Sequence, residues 1–262
     1  MLHLLKIEWM KVKNYRTFWV LSILYLISIY GASYIGYQVY NSKPQNDGGM
    51  ANSVIGRPFD FPDIWHTTSY VSSFLMFMLG LLIIISVTNE FSFKTHRQNV
   101  IDGLSRTQFI SVKMLLTVII SLVATLAVFV TTLIFGLQEG SDLSFEKKEY
   151  LGYFFLQALS YSSAALLFSM LLKRSGIAIG VYFLYSTIIE NMLAGILNKY
   201  ADNIGRYLPL ESSDNLIRIP VFKVIVNQMM TSYNTELLLI MTLVYLSLYY
   251  IISYRKFATD DL

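Results

Sequence analysis

The sequence predicts an all-α polytopic membrane protein with six transmembrane helices. Three observations predict it. Apolar residues make up 55% of the chain and charged residues only 14%, where soluble domains carry about a quarter charged. Six runs are apolar for long enough to cross a bilayer core, which takes about 20 residues per helix. Lysine and arginine also favour one side of those runs.

The expected spans cover about residues 17–40, 66–88, 114–137, 150–172, 176–197 and 236–254 of a single 1–262 membrane domain. In lipid every backbone group must bond within its own segment, so these are helices rather than strands. With the N-terminus placed in the cytoplasm, Lys6, Lys11, Lys13, Arg16, Lys94, Arg97, Arg106, Lys113, Lys173, Arg174, Arg255 and Lys256 fall inside, 12 basic residues against 8 outside. The positive-inside rule then gives N-in and C-in. The first apolar run is too long for a signal peptide's core and no A-x-A-like site follows it, so a retained helix is expected.

Residues 1–16 precede the first span. Leu2, Leu5, Trp9 and Val12 recur at helical spacing, with Lys6 and Lys13 flanking them. This fits a short helix lying in the membrane interface, or a basic tail that simply obeys the charge rule. In the loop after the first span, Phe59, Phe61 and Trp65 are expected at headgroup level.

The 89–113 loop is the most informative part of the chain. A short helix ending at Gly103 would use glycine's freedom to turn left-handed. Ser105 and Gln108, three apart, form a capping-box pattern that starts the next helix. The third span therefore begins well before its apolar run, near Arg106. Phe91, Phe93, Val100, Ile101 and Leu104 supply apolar contacts, and Lys94, Arg97, Asp102 and Arg106 supply charge. A bare connection can be as short as Lys173, Arg174 and Ser175. The longer loop reads either as a docking surface or as an amphipathic loop on lipid headgroups.

Residues 198–235 are long and only partly polar, broken at Pro209 and Pro220. They suit short outer helices that re-enter the membrane or lie on its outer leaflet, or that cover an exit path. Glu190 is the one acidic residue inside a span. It is either a gate or pathway residue or a packing hydrogen bond to Asn191, a Tyr or a Ser. Gly176 and Gly180 are spaced for close helix approach, within the chain or at a dimer seam.

Chemistry is conspicuous mainly by its missing motifs. No G-x-x-x-x-G-K-[ST], H-E-x-x-H or G-x-S-x-G occurs, so ATP hydrolysis by this chain, a metalloprotease and a serine hydrolase are all unsupported. There is no cysteine, and His3, His66 and His96 are far apart, which argues against a metal site. An ion-coupled secondary carrier would want several intramembrane polar groups and an internal repeat. A membrane assembly scaffold needs no distinctive residues and stays open as an alternative.

The residues resemble a family. Glu90, then the stretch from Arg97 to Arg106 (Arg-Gln-Asn-Val-Ile-Asp-Gly-Leu-Ser-Arg), then Phe109 and Lys113, are similar to the loop of ABC-2-type ABC transporter permeases. The likeness is greatest to the small six-helix permeases of Bacteroidota. Tyr207 to Leu210 with Asn215 to Ile217 form a second similar piece. Lys94-Thr95 stands where many members have Gly-Thr, and Gly103-Leu-Ser where many have proline.

That resemblance implies an ATP-driven exporter. Residues 1–16 would be its elbow helix, and residues 89–105 of the 89–113 coupling loop its coupling helix, with Glu90, Arg97, Asp102, Gly103, Ser105 and Arg106 coupling to the ATPase. Two ABC ATPase subunits would hold ATP and Mg, with no cofactor on this chain. A second permease, an identical copy in the simplest case, would complete the pathway in a bacterial inner membrane. There would be no catalytic residue and no nucleic-acid partner.

Overall fold

The structure is a computed structural model, and it describes residues 2–42, 57–95, 98, 101, 103–138, 142–220 and 234–259. Among these residues every regular element is helical. Five helices are long and apolar enough to cross a membrane, or six if a bent pair crosses as one. We number them α1 Leu2–Lys13, α2 Arg16–Asn41, α3 Ile64–Ser73, α4 Met76–Ser92, α5 Arg106–Gln138, α6 Glu149–Leu172, α7 Ser175–Tyr200, α8 Glu211–Asp214 and α9 Thr235–Thr259.

The second expected span is not one straight helix. It is the α3–α4 pair, bent by 51°. The break at Phe74 and Leu75 follows a polar stretch in which Ser73 Oγ donates to the Tyr70 carbonyl at 2.7 Å. The Leu75 amide closes a tighter turn onto Ser72 at 3.0 Å. Serine hydroxyls that bond back to the preceding turn compete with the helical ladder and bend it.

α6 forms the centre of the bundle and contacts α3, α4, α5, α7 and α9. Its inward face is small and polar: Ser160, Ala164, Ala165 and Ser169 are buried there, which lets neighbours approach closely. Gly80 on α4 gives the Tyr182 ring the space that a Cβ would fill. α6 ends at Lys173, whose φ of 55° is left-handed, and α7 starts two residues later.

α5 has 33 residues, about 50 Å of helix against a hydrocarbon core of about 30 Å. Its start is set by the reciprocal cap that its sequence suggests. The Gln108 amide donates to Ser105 Oγ at 3.2 Å, and the Ser105 amide donates to Gln108 Oε1 at 3.0 Å. Gly103 just before it has a φ of 97°.

Of the aromatic residues expected at headgroup level, Trp65 and Phe59 are enclosed by the protein and Phe61 is half-buried. The Trp65 indole donates to the Ser144 carbonyl at 2.7 Å and stacks on Phe129 and Phe145. An indole with its N–H satisfied can be enclosed whole, and here it ties α3 to the connection before α6. Gly176 and Gly180, by contrast, have no neighbouring atom within 4 Å of where a Cβ would stand. The glycine pair therefore serves no packing seam within the described chain.

Candidate functional site

Four charged side chains from three helices meet at the end of the bundle that carries α1. Lys113, about two turns into α5, is fully buried. Its ammonium donates to Glu8 Oε2 of α1 at 2.5 Å and to Glu90 Oε1 of α4. Lys11 bridges the same two carboxylates, at 2.8 Å from Glu8 Oε1 and 3.3 Å from Glu90 Oε1. Two cations balance two anions, so the cluster is neutral as a unit. Buried charge is tolerated only in such company.

The geometry follows from the sequence locally. Glu8, Lys11 and Val12 lie three and four apart on one face of α1, and Glu8 and Val12 are buried while Lys6 and Lys13 stay exposed. Burial opposes charge on Glu8, but the ammoniums of Lys113 and Lys11 outweigh it and hold its carboxyl below the usual range. The Lys113 ammonium also lies 5.3 Å from the centre of the Phe109 ring, and Phe109 stacks on Phe257 of α9 at 4.5 Å.

Arg106 completes this end. Its guanidinium donates to the Ala258 carbonyl at 2.5 Å and lies 3.5 Å from that of Phe257. A cation at a helix C-terminus meets both the unsatisfied carbonyls and the negative end of the dipole. α1, α4, α5 and α9 are thereby joined within a few residues of the 93–105 loop.

Of the six coupling residues expected from the sequence, Glu90 lies in this cluster and Arg106 caps α9. Gly103 and Ser105 shape the start of α5. Arg97 and Asp102 lie outside the described residues. Glu8 and Lys11, which the sequence marks only as charges near a stripe, are partners of equal standing. Lys113 carries the clearest overlooked signal, because a lysine inside a helix long enough to span a membrane has to find carboxylates.

At the opposite end the connection after α7 re-enters the bundle. Asp214 accepts hydrogen bonds from Gln157 Nε2 and Tyr161 Oη, each at 2.8 Å. Those residues lie 8 and 12 positions into α6, about 12 and 18 Å from its start. Thr242 of α9 bonds Ser212 at 3.3 Å. Glu190 holds the other side. Its Oε1 accepts from the amides of Leu210 at 2.5 Å and Glu211 at 3.1 Å. These are N-terminal amides of α8 with no helical partner of their own.

The stretch before Glu190 is a π-helical segment, Leu184–Ile189. Tyr185, five positions earlier and so one π turn away, also bonds Glu190. Among the described residues, Asn191 bonds within its own helix, to Ser186 and Thr187. Glu190 thus bonds a Tyr of its own helix, as one of the weighed partners, and also the backbone of the re-entrant segment, which was not among them. Pairs so distant in sequence leave no local pattern.

Taken together, the long apolar helices and internally paired charges define a multi-pass membrane protein. The chain belongs to the ABC-2 family of transporter proteins, whose family model matches residues 4–191. It is a membrane permease of an ABC transporter, a class of transport subunit that generally works with an ABC ATPase partner. The match includes Glu8, Lys11, Glu90 and Lys113, while the re-entrant segment and α9 lie beyond it. A comparison with curated proteins finds no match.

Proposed function

We propose that this chain is the permease of an ATP-driven exporter, coupled to two ABC ATPases through the 89–113 loop. The carrying observation is the neutral cluster of Glu8, Lys11, Glu90 and Lys113. It binds α1, the end of α4 and the start of α5 into one unit at the base of that loop. A push on the loop would then move α5 and α1 together instead of being lost in side-chain slack. In this reading α1 is the elbow helix, residues 89–105 form the coupling element, Arg97 and Asp102 offer charge to the ATPase, and Arg106 ties the base of that element to α9.

The permease works as a dimer, and the unfilled surface at Gly176 and Gly180 leaves room for a second helix to approach. It sits in the inner membrane with both termini in the cytoplasm. ATP and Mg are held by the partner, and this chain supplies the pathway. Glu190 acts as a fastener of the re-entrant segment and not as a proton carrier.

The test is co-purification with the cognate ABC ATPase. Asp102→Lys combined with Arg97→Glu should abolish association or permease-stimulated ATP hydrolysis while the permease still elutes as a folded particle. Unchanged association and unchanged stimulation would refute the coupling role.

A further inference from the structure

A cavity of about 400 Å³ lies under α1, between α2, α4 and α5. It takes no part in the charge cluster except that Glu8, already paired, lies at its floor. Phe18 and Leu26 of α2 and Leu116 and Ala124 of α5 line its walls. Each pair is eight residues apart, so the slot runs about 12 Å along the helices. Its lining is largely apolar, and left empty it forfeits the dispersion contacts of its walls.

The mouth identifies what fills it. Trp9 and Trp19 stand there edge to face, with ring centres 6.1 Å apart. They are 55% and 39% exposed, as amphipathic rings at a headgroup boundary are. Each carries a cation one helical turn away on its own face: Lys13 is four residues after Trp9, and Arg16 three before Trp19. The Trp19 indole donates to the Lys13 carbonyl at 3.1 Å, which brings the two helices together. Lys13 and Arg16 are exposed, and neither is ion-paired to a described residue.

We propose that this slot holds one acyl chain of an anionic glycerophospholipid, whose phosphate is gripped by Lys13 and Arg16. The lipid would be a resident part of the α1–α2 corner. It fills the space that lets α1 lie flat against α5, and it is distinct from any transported cargo. This inference stands whether or not the 89–113 loop couples to an ATPase.

The test uses the full-length protein, reconstituted into vesicles of equal phosphatidylglycerol and phosphatidylethanolamine and then re-extracted, with retained lipid measured by mass spectrometry. Phosphatidylglycerol should be retained with a preference of about tenfold or more, the size two cations give at an anionic surface. Val123→Trp, at an exposed lining position, should remove the retained lipid. Lys13→Glu with Arg16→Glu, both on the surface, should erase the preference without unfolding the chain. Equal retention of both lipids by the unaltered protein would overturn the proposal. So would a Val123→Trp variant that keeps its lipid, or one that changes only the oligomeric state, which would make the slot a contact between copies.

Discussion

The Lys113 ammonium, buried inside a membrane-crossing helix, lies 2.5 Å from Glu8 Oε2 on a helix that precedes every span. The pair joins residues 105 positions apart. It makes α1 a part of the bundle instead of a leader to it.

Removing Lys113 should therefore be costly. Lys113→Met leaves two carboxylates at one buried point with only the part-exposed Lys11 between them. Breaking a buried charge group in this way costs about 3–5 kcal/mol. The expected outcome is a clear drop in melting temperature in detergent. The quadruple change Lys113→Met, Glu8→Gln, Glu90→Gln, Lys11→Met should recover a large part of it, because no member of the cluster then carries an unpaired charge.

Acid should loosen the same corner. The folded-state carboxyl of Glu8 is held below its ordinary range, so its contribution is present at neutral pH and is lost as pH falls through that depressed value. Melting temperature should decline below about pH 4.5, the ordinary glutamate range. Glu8→Gln should start less stable at pH 7 and lose less on acidification. A parallel decline in both proteins would show that other groups control acid stability.

Glu190 should tolerate loss of charge but not loss of its oxygen. Glu190→Gln keeps an acceptor for the Leu210 and Glu211 amides, whereas Glu190→Ala leaves both unsatisfied at about 1–3 kcal/mol each. Limited proteolysis across residues 201–220 should be slow in the first variant and fast in the second. If the Gln variant alone abolished transport while its melting temperature stayed unchanged, the proton-carrier reading would gain instead.

Gly205→Ala should open the re-entrant segment from its other side. A Cβ there runs into the Ala194 backbone, which cannot rotate away as a side chain can. Gly152→Ala, where nothing lies within 4 Å, is the matched control and should leave the melting temperature unchanged. A difference of several degrees between the two is expected.

What the sequence disclosed follows from the range of each interaction. The apolar runs and the Ser105–Gln108 cap are local and were legible. So was the left-handed turn at Gly103. The break at Phe74 lay hidden in an unbroken apolar average, because hydropathy weighs a serine but does not see its hydroxyl bonding backwards. Lys113 was visible, but its partners were not, since Glu8 and Glu90 come from other helices. Asp214 with Tyr161, and Glu190 with the Leu210 amide, are the same case at the other end. The enclosure of Trp65 was not legible, because an indole at a helix end suits an open interface and a closed pocket equally well until its N–H partner is known.

The length of α5 has a mechanical meaning. A continuous helix behaves as a stiff rod, and this one joins the charged corner at Lys113 to the ring of Phe135, which is packed against Tyr30 and Tyr37 of α2. The 22 residues between them span about 33 Å, so a tilt of about 10° pivoting at Lys113 sweeps Phe135 through about 6 Å. With that corner as the pivot of a lever arm, a displacement at the start of α5 near Arg106 would arrive enlarged at Phe135.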